Sequence, residues 1–427
     1  MTDLKVGSRV SDKNGNRGTV RYLGPVSISY KNPESVWAGV EWDDEGRGKY
    51  DGSVTDKGGV TTRYFTCKPS QGSFIKPAKL GPRLSFVDAV RDKYLTHDTI
   101  NSQYRGEGSI KISAEWENSK TFDVELVGVD KIQKHLQLSV IDKVSLENEN
   151  VAFFAPASTG PSLGELVPNI EELNLENVLI SSWDDVFYIL SQLPKLTRLY
   201  LSGNRLGDIP AALLQGEAKF HLKILVLNNT TTTWEQALSL ATFFPDLEEL
   251  HLEANGISFT GSSPEEVPHA EEAAAGDSGP AALPKPAESQ ANCPFPALHR
   301  LNLSKNGISN WNTMLQFARW PNLRHLMLNG NALESIEFGA GIANAEASFA
   351  SLQCISLSNN RISSWQSVDA LNSLPQLVAL NFEGNPIGGG NLGPRQIRQL
   401  LIARVGNLAT LNNSQVRRKE RLDAEKQ

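Results

Sequence analysis

One short pattern returns through most of this chain: an apolar residue, any two residues, an apolar residue, any one, and a third apolar residue. Ile170, Leu173 and Leu175 form one copy, and Leu196, Leu199 and Leu201 the next. Further copies begin at Leu222, Leu247, Leu298, Leu323, Leu352 and Leu377, with a degenerate one at Ile141, Val144 and Leu146. Starts lie 25 to 29 residues apart, except for a step of 51 between Leu247 and Leu298, about two periods. No such copy can bury its apolar side alone, so the chain must stack copies on one another into a continuous core.

This spacing is the leucine-rich repeat signature. Each copy predicts one short parallel strand with alternate side chains facing inward. Asn204, Asn255, Asn306, Asn331, Asn360 and Asn385 recur at one place in the copies, where each can bond the backbone of a neighbouring turn. Trp183, Trp234, Trp311 and Trp365 recur in "ISSW", "TTTW" and "ISNW", and at a fixed offset they read as core on the helical side. The expected solenoid spans 136–413. It is interrupted at about 258–296 by a Pro-, Ala-, Ser- and Glu-rich stretch that the composition predicts to be disordered. A helix from about Pro394 and a half-repeat at Leu408–Leu411 would cap its end, and 414–427 reads as a charged tail or helix.

Catalytic and cofactor signatures are missing. Gly388, Gly390 and Gly393 match G-x-G-x-x-G, but no βαβ unit surrounds them and no acidic residue follows at the required distance. The seven histidines show no metal-ligand spacing, so no metal, no cofactor and no enzymatic activity are expected. Three cysteines without a C-x-x-C pair fit a reducing compartment. The opening "MTDLKVGSRV" lacks the apolar core of a signal peptide, and no stretch reaches the roughly 18 apolar residues of a membrane span. A cytoplasmic protein without a membrane partner is expected. Residues 1–80 hold 13 Lys/Arg against 9 Asp/Glu while the whole chain carries −7. A mildly basic head on an acidic body argues against nucleic acid and suits an acidic peptide.

That head, residues 1–82, reads as short strands broken by Gly, Asn and Pro, a small all-β barrel burying Val10, Val20, Val40, Phe65 and either Trp37 or Trp42. Within it "RGKYDGS" places Lys49 between Gly48 and Gly52, two residues free to take positive φ. The run "VWAGVEWDDEGRGKYDGSV…RYFTCKPSQGSFIKPAKL" resembles a CAP-Gly domain. The resemblance implies recognition of acidic, aromatic-ended C-terminal tails such as that of α-tubulin. Lys49 would meet carboxylates, amides near Gly48 and Gly52 would add hydrogen bonds, and Phe74 with Trp42 would flank the terminal ring. Tyr50, Asp51, Phe65 and Lys76 complete the expected tail-binding set. Tyr50 stands where the CAP-Gly motif has Asn.

Residues 83–135 read as a linker, with an amphipathic helix at Arg83–Leu95 and a capping hairpin at Ser109–Gly128. A CAP-Gly head so joined to an α/β leucine-rich solenoid resembles the tubulin-folding cofactor E family, as do "SSWDDV" and "LKILVLNNT". The resemblance implies a non-enzymatic chaperone of α-tubulin that works with cofactors B, D and C in heterodimer assembly, and in dissociation. The family's C-terminal ubiquitin-like domain has no counterpart before the sequence stops in "RRKERLDAEKQ". Two other readings stay open: a microtubule-end adaptor, and a leucine-rich regulatory subunit of an enzyme. On the strands, the residue between the second and third apolar positions should face the concave surface. Tyr200, Val226, His251 and Met327, together with Asn174, Asn302 and the rim residue Arg300, are expected to form an apolar-centred patch that grips the body of tubulin.

Overall fold

The computed structural model describes residues 4–27, 35–94, 138, 140–154, 162–216, 218–259, 293–338 and 349–426. They form two compact units, Met1–Leu213 and Leu214–Gln427.

The first unit begins with an antiparallel sheet of four strands, β1 (Arg9–Ser11), β2 (Arg17–Gly24), β3 (Trp37–Trp42) and β6 (Gly72–Ile75), in the order β1-β2-β3-β6. β4 (Ser53–Thr55) and β5 (Thr61–Arg63) make a separate two-stranded ribbon. Strand alternation divides the sheet between two apolar clusters. Ala38, Val40 and Trp42 pack with Val10 and Val20. On the other side Trp37 joins Val26, Val54, Phe65 and Phe74. Gly39 makes room there, because a Cβ on it would come within 2.6 Å of the Phe65 ring. A bulge in β2 between Val20 and Tyr22 switches sides, so that Tyr22 lies opposite Gly39 in the second cluster rather than beside Val20 in the first.

The head is anchored to later segments of the same unit. Arg17 reaches the Asn148 carbonyl at 2.9 Å. β7 (Leu84–Ser85) pairs with β9 (Val151–Phe153). The buried Arg9 forks onto Asp43, which also lies 3.9 Å from Arg205 in the repeats. The expected linker helix forms at Phe86–Tyr94, with Phe86 and Val90 buried. The hairpin expected at Ser109–Gly128 lies outside the described residues. β8 (Lys143–Ser145), β10 (Glu172–Asn174) and β11 (Arg198–Tyr200) then pair in parallel, with Val144, Leu173 and Leu199 inward.

In the second unit β12 (Ile224–Val226), β13 (Glu249–His251), β14 (Arg300–Asn302), β15 (His325–Met327), β16 (Cys354–Ser356), β17 (Ala379–Asn381) and β18 (Thr410–Leu411) run parallel in sequence order. β19 (Ser414–Gln415) closes the edge antiparallel to β18. The asparagines bridge turns as the repeat predicts: Asn331 donates to the Leu303 and Leu328 carbonyls, each at 3.0 Å, and accepts from Asn306 N–H at 2.9 Å. The residue before each repeated Trp is a helix N-cap. Thr233, Asn310 and Ser364 each accept from a backbone N–H of the first turn, as Ser182 does in the first unit. Trp183, Trp234 and Trp311 are buried, whereas Trp365 is half-buried beneath Arg404 at 5.1 Å.

One boundary differs from expectation, and one open alternative takes a definite form. Most of the span assigned to disorder, 260–292, lies outside the described residues, but its flanks are packed. Phe259 meets Trp234 and Phe317 edge-on at 5.7 and 6.1 Å, and Phe295 is buried against Trp320. These aromatic anchors outweigh the polar composition around them. The charged run near the C-terminus is a helix, Arg418–Ala424, held on helix Pro394–Arg404: Arg398 pairs with Glu420 at 2.6 Å, and Arg421 donates to the Ile402 and Leu408 carbonyls at 3.0 and 2.7 Å.

Candidate functional site

The turn carrying Lys49 is tied down by its own backbone. Gly48 N–H donates to Ser70 at 2.7 Å, and the amides of Lys49 and Tyr50 both donate to the Gly72 carbonyl at 2.8 and 3.0 Å. These three amides are consumed inside the domain, so the expectation that amides near Gly48 meet a ligand fails there. Gly52 alone of the framing pair takes positive φ, +91°. Gly48 is required for a different reason: a Cβ would stand 2.4 Å from the Gln71 carbonyl carbon and 2.5 Å from Gly72. At Gly52 both reasons apply, since a Cβ would lie 2.0 Å from the Phe65 carbonyl oxygen.

Asp51 serves the turn. It accepts from the hydroxyl and the N–H of Ser53 and pairs with Arg63 at 2.8 Å. Those bonds, Ser53 first, hold its carboxyl far below the usual carboxylate range. Neighbouring cations are similarly occupied: Arg47 by Asp12 at 2.5 Å, Lys68 by Glu45 at 2.5 Å and Arg21 by Glu41 at 2.6 Å. Lys49 is exposed and has no ion-pair partner among the described residues. Lys76 is exposed, with its ammonium 5.7 Å from the centre of the Trp37 ring.

Around Trp37 the same cluster forms an aromatic floor. Phe74 is buried and meets Tyr50, Tyr64 and Phe65 edge-on at 5.6, 5.5 and 5.4 Å, and Tyr22 leans on Tyr64 at 4.9 Å. Tyr22, Tyr50, Tyr64 and Trp37 are only half-buried. Trp42, expected to flank a ligand ring, is instead fully buried in the opposite cluster, and Phe74 and Phe65 are buried supports. Trp37 takes the place expected of Trp42, because residues five apart on a strand point to opposite faces. Nothing in the sequence marks Tyr22, Tyr64 and Trp37 as site residues beyond their aromatic character within β-type runs.

The strand face is less apolar than expected. In the second unit the register runs Val226, His251, Asn302, Met327, so two polar residues separate Val226 from Met327. Val226 and Asn302 are themselves buried. Beside them Glu249 gathers His251 at 3.3 Å and Arg300 at 3.6 Å, while Glu253 takes Lys305 at 2.8 Å. Burial, with Arg300 and His299 nearby, pushes the His325 imidazole down. In the first unit Tyr200 is half-buried opposite Asn174. Among the described residues no group of three or more His, Cys, Asp or Glu could hold a metal ion, and no helix is long and apolar enough to cross a membrane.

The CAP-Gly domain family matches residues 6–80, and the Leucine Rich Repeat family residues 195–216. Tubulin-specific chaperone E of Homo sapiens is 34% identical over 428 residues, covering 100% of this chain and 72% of the human protein. Tubulin-folding cofactor E of Arabidopsis thaliana is 33% identical over 98% of this chain and 72% of its own length. Among solved structures, an internalin (inlF) from Listeria monocytogenes aligns with a TM-score of 0.36 and 20% identity over 65% of this chain and 68% of the internalin.

Proposed function

This chain belongs to the tubulin-specific chaperone E family, a family of tubulin-folding chaperones, and on that footing we propose that it handles α-tubulin through two surfaces. The head takes the acidic C-terminal tail, and the strand face of the repeats takes the folded body. The observation that carries the first half is Lys49, an exposed lysine without an ion-pair partner among the described residues, on a turn whose neighbouring cations are paired. A well-formed charge-assisted bond to a tail carboxylate contributes roughly 1.5–3 kcal/mol. Lys76 and the half-buried Tyr50 widen the cationic and donor-bearing surface.

The second half rests on the mixed strand face of the second unit, where His251, Arg300 and Met327 are half-buried side chains, and on Tyr200, half-buried on a strand of the first unit. Joining two weak contacts raises the effective concentration of the second to about millimolar, so neither need be tight. The chaperone acts in the cytoplasm without catalysis, alongside other tubulin-folding cofactors (B, D and C), in assembling the heterodimer and in taking it apart.

Size-exclusion chromatography of the full chain with αβ-tubulin, intact and with its tails removed, tests the proposal. Co-elution that weakens without the tails supports both surfaces. Undiminished co-elution refutes the role of the head, and no co-elution with either form refutes the whole reading.

A further inference from the structure

Phe74, the residue expected to flank a ligand's terminal ring, already has an aromatic neighbour from the Lys49 turn. Phe74 makes three edge-on contacts, to Tyr50, Tyr64 and Phe65, and is only 8% exposed. One of those rings, Tyr50, comes from the Lys49 turn itself, placed by the bridge that pairs Tyr50 with Gly72. An incoming aromatic residue aimed at Phe74 would have to displace Tyr50, giving up an aromatic pair to gain one. Such an exchange leaves little net gain, since a pair of this kind is worth only about 0.5–1.5 kcal/mol beyond its area.

What the turn does offer is hydrogen-bond donors. The hydroxyls of Tyr22 and Tyr64 are engaged, the first donating to the Pro25 carbonyl at 2.7 Å and the second accepting from Ser27 N–H at 2.9 Å. The Tyr50 hydroxyl and the Lys49 ammonium have no partner among the described residues. Both are complementary to carboxylates, and neither needs a ring on the ligand.

The geometry points to Tyr50 as a specificity residue that makes the head a reader of acidic peptide ends without regard to a terminal aromatic residue. This rests on the head binding acidic tails at all. Tyr50 supplies in cis the ring that an aromatic-ended peptide would bring in trans, and its hydroxyl joins Lys49 in holding glutamate carboxylates.

The test uses the full chain and two synthetic acidic peptides, identical except that one ends in glutamate and the other carries one further tyrosine, with binding measured by calorimetry. The affinities of the unmodified protein should agree within threefold, and a larger preference for the tyrosine-ended peptide overturns the inference. Tyr50→Asn, which removes that ring, should turn the pair into a preference of fivefold or more for the tyrosine-ended peptide. Tyr50→Phe, which keeps the ring and removes the donor, should weaken both peptides equally while preserving their near-equal ratio. A Tyr50→Phe variant that discriminates where the unmodified protein does not would overturn the assignment of the ring. If neither peptide binds the unmodified protein, the tail-binding reading fails and takes this inference with it.

Discussion

Replacing Asn306 by Ala should destabilise the second unit by about 3–4 kcal/mol, because this one side chain satisfies backbone groups on two turns at once. Its amide nitrogen donates to the Leu252 carbonyl at 3.0 Å and the Ser304 carbonyl at 3.1 Å, and its oxygen accepts from Asn255 N–H at 2.9 Å and Ile257 N–H at 3.2 Å. Asn306 is 7% exposed. The Ser304 carbonyl keeps a second donor, Ala254 N–H at 3.0 Å, so three groups rather than four lose their partner. Each buried group left unsatisfied costs about 1–3 kcal/mol, and a water entering the vacated amide volume offsets part of the sum. A loss of that size lowers the melting temperature by roughly 6–16 °C in a unit of this length. Urea unfolding followed by tryptophan fluorescence reports it, since Trp311 sits in the next turn. Asn306→Asp, which sets a buried carboxylate oxygen against the Leu252 and Ser304 carbonyls, should cost at least as much at pH 7. A loss below about 1 kcal/mol for Asn306→Ala would refute the idea that the asparagine ladder holds the repeats in register.

Lys49→Ala should weaken an acidic tail peptide by about tenfold or more while leaving the melting curve unchanged, and the unmodified affinity should fall with added salt; calorimetry in two salt concentrations checks both. Gly52→Ala should instead unfold the head, because positive φ and the Phe65 carbonyl both oppose a Cβ; loss of peptide binding together with near-ultraviolet dichroism of its aromatic cluster is the expected result. Phe295→Ala should cost about 3–5 kcal/mol if the flank of the insertion belongs to the core, and an unchanged melting temperature would return it to the loop. Burial, with Asp184 beside it, pushes Asp185 up to about 6. A raised carboxyl favours the folded state below about pH 4 and loses that contribution as pH climbs through about 6. Asp185→Asn should therefore stabilise the protein at pH 7 by about 1–2 kcal/mol after solvent screening, and by little at pH 3.5; denaturant midpoints at the two values decide it.

The sequence by itself determined what depends on local spacing. The L-x-x-L-x-L period states which side chains of each strand face inward, so Leu173, Leu199, Leu250, Leu301, Leu326 and Leu380 are all buried at their expected positions. The Ser, Thr or Asn before each repeated Trp announces a helix start, because an N-cap is satisfied within its own turn. The charge of Lys49 and its glycine frame are likewise readable from seven residues. Tertiary structure decided whatever depends on a partner segment. Trp37 and Trp42 look alike in sequence, and only the packing of two clusters on opposite sides of one sheet sends the first to the candidate site and the second to the core. The bulge after Val20 reverses the alternation, so Tyr22 lines the aromatic floor against the simple period. Along the strands of the second unit His251 and Asn302 stand between Val226 and Met327, an order the sequence states already, and only the structure shows that Val226 and Asn302 are buried there. Tyr50 is the sharpest case. As a residue type it is a replacement within a motif, and only the position of Phe74, brought from 24 residues away by β6, gives its ring an aromatic partner.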